Sequence, residues 1–416
     1  MSNIVPQPER SAGTPEPEVL ASTESAAPLA RTGSDLIREI DDLQSLLADE
    51  ARLEALSTGD VKTPIPEHPE VWPLAVRPEG SVQTQPCLVC NYSSARPLYV
   101  IQGIAERLVT CDRCGLGSLH PLPSSERVAD FYPAEYYGTP DAKFEPLVEA
   151  VVRHGARARA KSMLGGLKPG SRVLDIGCGR GVMLRGLLDQ GFEAHGVEIS
   201  AAAAAGADPR AKIRIAPNLH EAQYETNQFS AVILWHVLEH LRHPEETLAE
   251  VARILQPGGR LIIAVPNFDS MQSRWAGANW FHLDLPRHLY HFSDRTLVRF
   301  VERQGFAMRS LKHFALLQNP FGWLQSALNR VTGTPRNSLY SLLHRRDDAD
   351  RCSGLSGTQR AMLRAAYWFG LPVAGLLSVL EALRREGGTI AMVAELPCKL
   401  DAPQTGSPSL REPVLA

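Results

Sequence analysis

Basic tracts are missing from this chain. Across 416 residues, 43 Lys and Arg stand against 46 Asp and Glu, a net charge of −3 with no long run of one sign. A protein that grips a phosphate backbone carries a basic stripe, so general nucleic-acid binding is not expected. The first 33 residues have neither a basic start nor an apolar core, so neither a secretory signal nor a transit peptide is expected in them. Cysteine is scarce, 7 in all, too few for a disulfide scaffold of this length, and four of them form two Cys-x-x-Cys pairs. That usage favours a reducing compartment and a metal, hence a cytoplasmic protein. Long apolar runs are also lacking: Ala365–Leu380 is uncharged for 16 residues but contains Pro372, and a bilayer span needs about 20. What remains is ordinary globular composition, 44% hydrophobic and 21% charged, in a length that suits two or three folded units.

Prolines crowd the ends. Residues 1–33 hold Pro6, Pro8, Pro15, Pro17 and Pro28 among polar residues and read as a disordered leader, and 400–416 reads as a disordered tail. Residues 34–58 suit a helix with Leu36, Ile40, Leu43 and Leu47 on one seam, but Glu50 and Glu54 occupy the next seam positions. A docking helix is therefore preferred to a dimer zipper. Pro64, Pro66, Pro69, Pro73 and Pro78 make 59–84 a semi-stiff linker. From Val173 onward, short apolar runs alternate with amphipathic segments: strands at 172–176, 194–197, 213–216, 231–235 and 261–265, with helices at 182–190, after Ser200, and from Pro244 to Leu255. Such alternation predicts right-handed crossovers and a mostly parallel, doubly wound sheet covered on both faces. A helix at 293–304 and strands at 306–314 and 389–394 complete it. The 317–386 stretch between those strands is too long for a loop and is expected to be a helical insertion, with 365–380 either buried, covering substrate, or lying in a membrane interface.

One turn carries most of the chemistry. Asp175-Ile176-Gly177-Cys178-Gly179-Arg180-Gly181 follows a strand and opens a helix, where an open parallel sheet places its ligand. Glycines at alternate positions let a ligand approach the backbone, and the helix start favours an anionic group such as a carboxylate. A dinucleotide fingerprint would need its third glycine at 182, which is Val182. Asp175 also suits a cationic centre, and Glu198, ending the second strand 21 residues after Gly177, stands where an acid grips ribose hydroxyls.

These residues, with Gly196-Val197-Glu198, Trp235-His236-Val237-Leu238-Glu239-His240 and Pro257-Gly258-Gly259 before a strand, resemble a class I S-adenosylmethionine-dependent methyltransferase. The resemblance covers about 140–316 and 386–397 and implies a seven-stranded Rossmann-like core over 136–316 and 387–399. It implies that Asp175, Gly177, Cys178, Gly179 and Gly181 hold the methionine part, Glu198 the ribose, and Ile199, Asn218 and Leu219 the adenine. Trp235 and His236 would lie beneath the cofactor, with His236 facing the substrate. Phe229-Ser230 departs from the family's usual Phe-Asp.

Cys87-x-x-Cys90, then 20 residues, then Cys111-x-x-Cys114 is the spacing of a closed four-cysteine zinc site. The metal should be structural, inside a small ribbon at 85–135 whose Pro97–Val109 segment can form a hairpin. Cys178, Cys352 and Cys398 lie apart from it and read as small buried residues. A ribbon followed by Phe131-Tyr132-Pro133-Ala134-Glu135-Tyr136-Tyr137 resembles the N-terminal module of bacterial methyltransferases acting on sugars, lipid-linked glycans or secondary metabolites. By that resemblance Tyr136 and Tyr137 either line the cofactor mouth or merely pack.

After the fifth strand comes Asn279-Trp280-Phe281-His282-Leu283-Asp284-Leu285-Pro286-Arg287-His288-Leu289-Tyr290-His291-Phe292-Ser293, a stretch that resembles the Pro-Arg-His-Leu-x-His-Phe segment of a methyltransferase subgroup. Methyl transfer needs an aligned acceptor and a group to take its proton, and histidine titrates in that range. His288 or His291 is the expected base, with His236 next and His240 behind. A metal triad of His282, His288 and His291 is not favoured, because no carboxylate pattern supports it. The expected reaction is methyl transfer to a hydroxyl or activated carbon of a small-molecule, sugar or lipid-linked acceptor. Peripheral contact with the inner membrane through 365–380 stays open. An RNA methyltransferase and a non-catalytic cofactor-binding scaffold are the alternatives.

Overall fold

The computed structural model describes residues 74–75, 80–101, 104–132, 146–331, 334–343 and 354–398. The leader, the 34–58 helix, Tyr136, Tyr137, Cys352 and the tail lie outside them.

Seven strands form the larger sheet: β6 (Arg172–Ile176), β7 (Glu193–Glu198), β8 (Lys212–Ile215), β9 (Phe229–Trp235), β10 (Leu255–Pro266), β12 (Ala307–Lys312) and β13 (Thr389–Glu395). Their order is β8-β7-β6-β9-β10-β13-β12; β13 runs antiparallel to both neighbours and the other pairings are parallel. Side-chain parity divides the central strands between two cores. Leu174, Ile176, Val232, Leu234, Leu261 and Ile263 face one side, against Leu248, Val251 and Ile254 of the helix Pro244–Ile254. Val173, Ala231, Ile233, Ile262 and Ala264 face the other, against Ala160, Met163 and Leu164 of the helix Pro146–Leu164 and Leu184 and Leu187 of Val182–Leu188. Burial on both faces is why these strands read as unbroken apolar runs. Each fully buried Leu, Ile or Phe contributes about 1.5–3 kcal/mol.

The smaller sheet corrects two boundaries drawn from sequence. It is built on β3 (Ser94–Val100), β4 (Arg107–Cys111) and β5 (Gly117–His120), with the knuckle cysteines at its ends. Leu74–Ala75 and Val82–Gln83, inside the stretch read as linker, are strands β1 and β2 paired with β3. Proline blocks only the ladder positions it occupies, and these four residues lie between prolines. On the far edge, β11 (Tyr290–His291) pairs with β5, so the ribbon sheet is not confined to 85–135: a strand from the loop after β10 completes it. Val89, Cys111, Leu116 and Leu119 share one apolar core with Leu289, Tyr290, Phe292 and the sheet. A short helix Ser125–Asp130, capped by Ser124, closes the module.

The 317–386 stretch contains the helices Gln318–Val331, Ser338–Leu343 and Gly357–Leu383. Pro372 does not interrupt the last, which runs unbroken for 27 residues. Pro372 is exposed, and the Trp368 carbonyl deprived of its donor lies one turn back on the same outward side, where the loss is least costly.

Candidate active site

Parity at the sheet's carboxyl edge decides what meets there. Asp175 and Trp235 share the parity of Val173 and Ile233, so their side chains leave toward the helix Pro146–Leu164. That helix sends Arg159 to them: its guanidinium lies 4.7 Å over the Trp235 ring. Asp175 is 4% exposed, and burial, reinforced by the nearby Glu198, pushes its carboxyl up to about 7, with Arg159 opposing the rise. The same burial lowers Arg159 to about 10. No local motif marks Arg159 in the sequence, because the pairing is made by the fold alone.

Gly177 has φ +67, and a Cβ there would stand 2.7 Å from Val237 Cγ2. Gly181 has φ +75, and its Cβ would meet Ala207 at 2.7 Å. The turn thus demands glycine twice over, by backbone sign and by contact. Gly179 N–H donates to Glu198 Oε2 at 2.8 Å, and Ile199 N–H donates to Oε1 at 2.8 Å, so the acid faces into the glycine turn. Arg180 is tied to Glu149 by contacts of 2.9 Å. Beside Glu198, Ile199 offers an exposed apolar side chain, 59% accessible. Leu219 is buried, while the Asn218 amide donates to Glu221 at 2.7 Å. Cys178 is buried, its thiol pushed up by burial, and its backbone N–H donates to Val197 O at 3.2 Å. At the family's usual aspartate position, Ser230 Oγ donates to Gln256 Oε1 at 3.0 Å.

Next to the glycine turn stands His236, the residue after β9. It has φ +54, a strained conformation for histidine. Its Nδ1 lies 3.1 Å from Glu239 Oε1, while its Nε2 and Glu239 Oε2 are buried without partners. Glu239 is 1% exposed. The spacing of three residues was visible in the sequence, but only the turn Leu238–His240 brings the two side chains together.

The 279–293 loop folds back over this turn. Leu289 N–H donates to Glu239 O at 2.8 Å and Leu119 N–H of the ribbon to Leu289 O at 3.0 Å. His240 Nδ1 lies 3.1 Å from the Arg287 carbonyl and 2.7 Å from the Tyr132 hydroxyl. His288 Nδ1 lies 2.9 Å from the His282 carbonyl, and its ring is 4.6 Å from that of His240. Glu239, His240 and His288 each bring a ligand-type atom within 4.8 Å of the others.

His288 and His291, the first choices for a base, are 6% and 3% exposed. Burial pushes His288 well below its ordinary value, with His240 adding to the effect, and lowers His291 to about 3. His282, stacked on His236, is lowered to about 4 by burial and by that neighbour. Beneath them, the Arg287 guanidinium holds Asp284 below the carboxylate range against the upward push of burial. His291 is a strand residue of the ribbon sheet, with Nε2 unpartnered. Fixed and neutral, His288 and His291 are well suited to shaping a wall.

In the ribbon, Cys87 and Cys114 Sγ lie 3.5 Å apart, as do Cys90 and Cys111, and all four fall within 4.8 Å. Thiolates around one tetrahedral zinc stand about 3.8 Å apart at Zn–S distances near 2.3 Å. A hydrogen bond from Cys114, aided by the Cys90 and Val89 N–H groups, lowers Cys87 to about 5.

A parallel sheet with one reversed strand, a three-glycine turn after its first strand and an acid ending the second are the marks of a class I methyltransferase fold. Comparison with known proteins agrees. The methyltransferase-domain family profile matches residues 150–311. A ubiquinone biosynthesis O-methyltransferase of Alkalilimnicola ehrlichii is 30% identical over 170 residues, 38% of this chain and 68% of that one. The enzyme of the same description from Maricaulis maris is 32% identical over 168 residues, 37% and 66%. A solved S-adenosylmethionine-dependent methyltransferase from Archaeoglobus fulgidus, 20% identical, covers 60% of this chain and 98% of its own at a TM-score of 0.38. The chain belongs to the S-adenosylmethionine-dependent methyltransferases.

Proposed function

We propose that this enzyme methylates a hydroxyl oxygen of a small-molecule, sugar or lipid-linked acceptor, with His236 taking the proton. The observation that carries the reading is the His236–Glu239 pair, 3.1 Å apart, beside the glycine turn. If Nδ1–H is donated to Glu239, the buried Nε2 keeps its lone pair, and Glu239 stabilises the imidazolium formed when the proton arrives. Between the four histidines considered from sequence, the choice moves from His288 and His291 to His236. Burial holds His288 and His291 neutral and makes both poor proton acceptors.

S-adenosylmethionine supplies the methyl on a sulfonium carbon, leaving as a neutral thioether, so no acid is required for the leaving group. Asp175 would face the cationic methionine part, Glu198 the ribose hydroxyls and Ile199 an adenine face. Tyr132, His240, His288 and the β5–β11 pairing would form the acceptor wall. The relatives' description as O-methyltransferases favours oxygen over carbon or nitrogen. The four cysteines would hold one structural zinc, which has no open coordination position and so binds the ribbon together without touching the chemistry.

The test is methyl transfer to a panel of phenols and catechols, with and without alkyl tails. His236→Gln should lower kcat by 10²-fold or more with S-adenosylhomocysteine affinity unchanged, and Glu239→Gln should fall between it and wild type. Unaltered turnover in His236→Gln would refute the assignment.

A further inference from the structure

The helix Gly357–Leu383 is 27 residues long with a mean hydropathy of 1.5 in its most apolar stretch, yet only 17% of that stretch is buried. Leu363, Ala374, Ser378 and Glu381 form its inner side. Outward, Met362, Trp368, Phe369, Val373, Leu376, Val379, Leu380 and Leu383 are exposed, Phe369 and Leu383 to 79%, Leu376 to 73% and Trp368 to 61%. At 100° per residue these positions cover roughly 140° of the helix and run about 30 Å along it. A continuous apolar stripe of that size marks a docking surface.

We infer that this stripe lies in the plane of an anionic lipid bilayer surface, making the enzyme a peripheral membrane protein. Charge selects that occupant. Glu381 is buried, so the exposed positions of the helix carry no acid, whereas Arg364 flanks the stripe near one end and Arg384 near the other, both exposed. Arginines bordering an apolar face reach anionic headgroups while their stems follow the apolar surface. A second copy docked antiparallel would set Arg364 against Arg384 of its partner, like charge against like. Segment 34–58 carries apolar seam residues only from Leu36 to Leu47 before Glu50, so even were it helical its seam would reach about half the stripe's length. Spanning is opposed by the inner side: Glu381 accepts from Trp323 Nε1 at 2.8 Å, Asn319 Nδ2 at 2.9 Å and Gly388 N at 3.0 Å, which anchors that side to the protein.

The experiment is flotation of the full chain with phosphatidylcholine vesicles, alone or with phosphatidylglycerol. Wild type should float with the anionic vesicles. Phe369→Glu/Leu376→Glu should lose that binding at least tenfold, and Arg364→Gln/Arg384→Gln should lose the preference for phosphatidylglycerol. Unchanged S-adenosylhomocysteine affinity in both variants would show that they fold, whether or not transfer to oxygen is the reaction. Wild type that stays unbound to every vesicle, or a Glu double variant that floats as well as wild type, overturns the proposal. So does a non-floating wild-type dimer that Phe369→Glu splits, which would assign the face to a second copy.

Discussion

Asp175 is held by two opposing influences, and its protonation follows from them. Burial and Glu198 raise its carboxyl to about 7 while Arg159 pulls it down. Only the ionised form attracts a cationic group, and the ionised fraction grows as pH rises through that value. Cofactor affinity should therefore increase from pH 6 to 7.5. Asp175→Asn should bind more weakly and with a flatter dependence over the same range, read by calorimetry with S-adenosylmethionine. A wild-type profile as flat as the variant's would remove Asp175 from the cationic site. At this scale the positive φ of the glycines and the strand-end places of Asp175 and Glu198 were legible, because a tight strand-to-helix turn is dictated by local backbone chemistry. Arg159, Glu239 and Tyr132 were not singled out, since each acquires its meaning from a neighbour far along the chain or across a turn.

Among the elements, the ribbon and the 279–293 loop prove inseparable. The two Cys-x-x-Cys knuckles are a local pattern and could be read as such. That β11 of the loop would pair with β5 of the ribbon could not, because Tyr290–His291 is too short to announce itself as a strand. The coupling has a consequence for metal loss. Metal analysis should find about one zinc per chain, and Cys111→Ser should reduce it sharply. Limited proteolysis should then cut the variant near residues 285–295 as well as in the ribbon, while the glycine turn keeps its affinity for S-adenosylhomocysteine. A folded, metal-free wild type, or a loop as resistant in the variant as in the parent, would contradict this.

For the molecule as a whole, one buried acid joins the helical insertion to the core. Glu381, 0% exposed, is raised to about 7 by burial against the four donors that surround it. Trp323 and Asn319 come from one insertion helix, Gly388 from the approach to β13, and Gln272 from the helix Met271–Ala276, at 3.1 Å. Gln272 in turn accepts from Trp280 of the 279–293 loop at 3.2 Å. Glu381→Ala leaves these donors without an acceptor and should cost about 3 kcal/mol, read as a lower urea midpoint. A change below about 0.5 kcal/mol would mean the junction does not depend on this carboxylate.

Period and turn chemistry in the sequence were enough for the alternating strands and helices, the sheet they form, the glycine turn and the cysteine knuckles, because each rests on residues close together in the chain. The tertiary structure decided the rest: which histidine meets a buried glutamate beside the glycine turn, which are walled in, how a ribbon completes its sheet with a distant loop, and which side of the long insertion helix stays bare. Those outcomes depend on burial and on contacts between residues up to about two hundred positions apart, and neither quantity is carried by any local stretch of sequence.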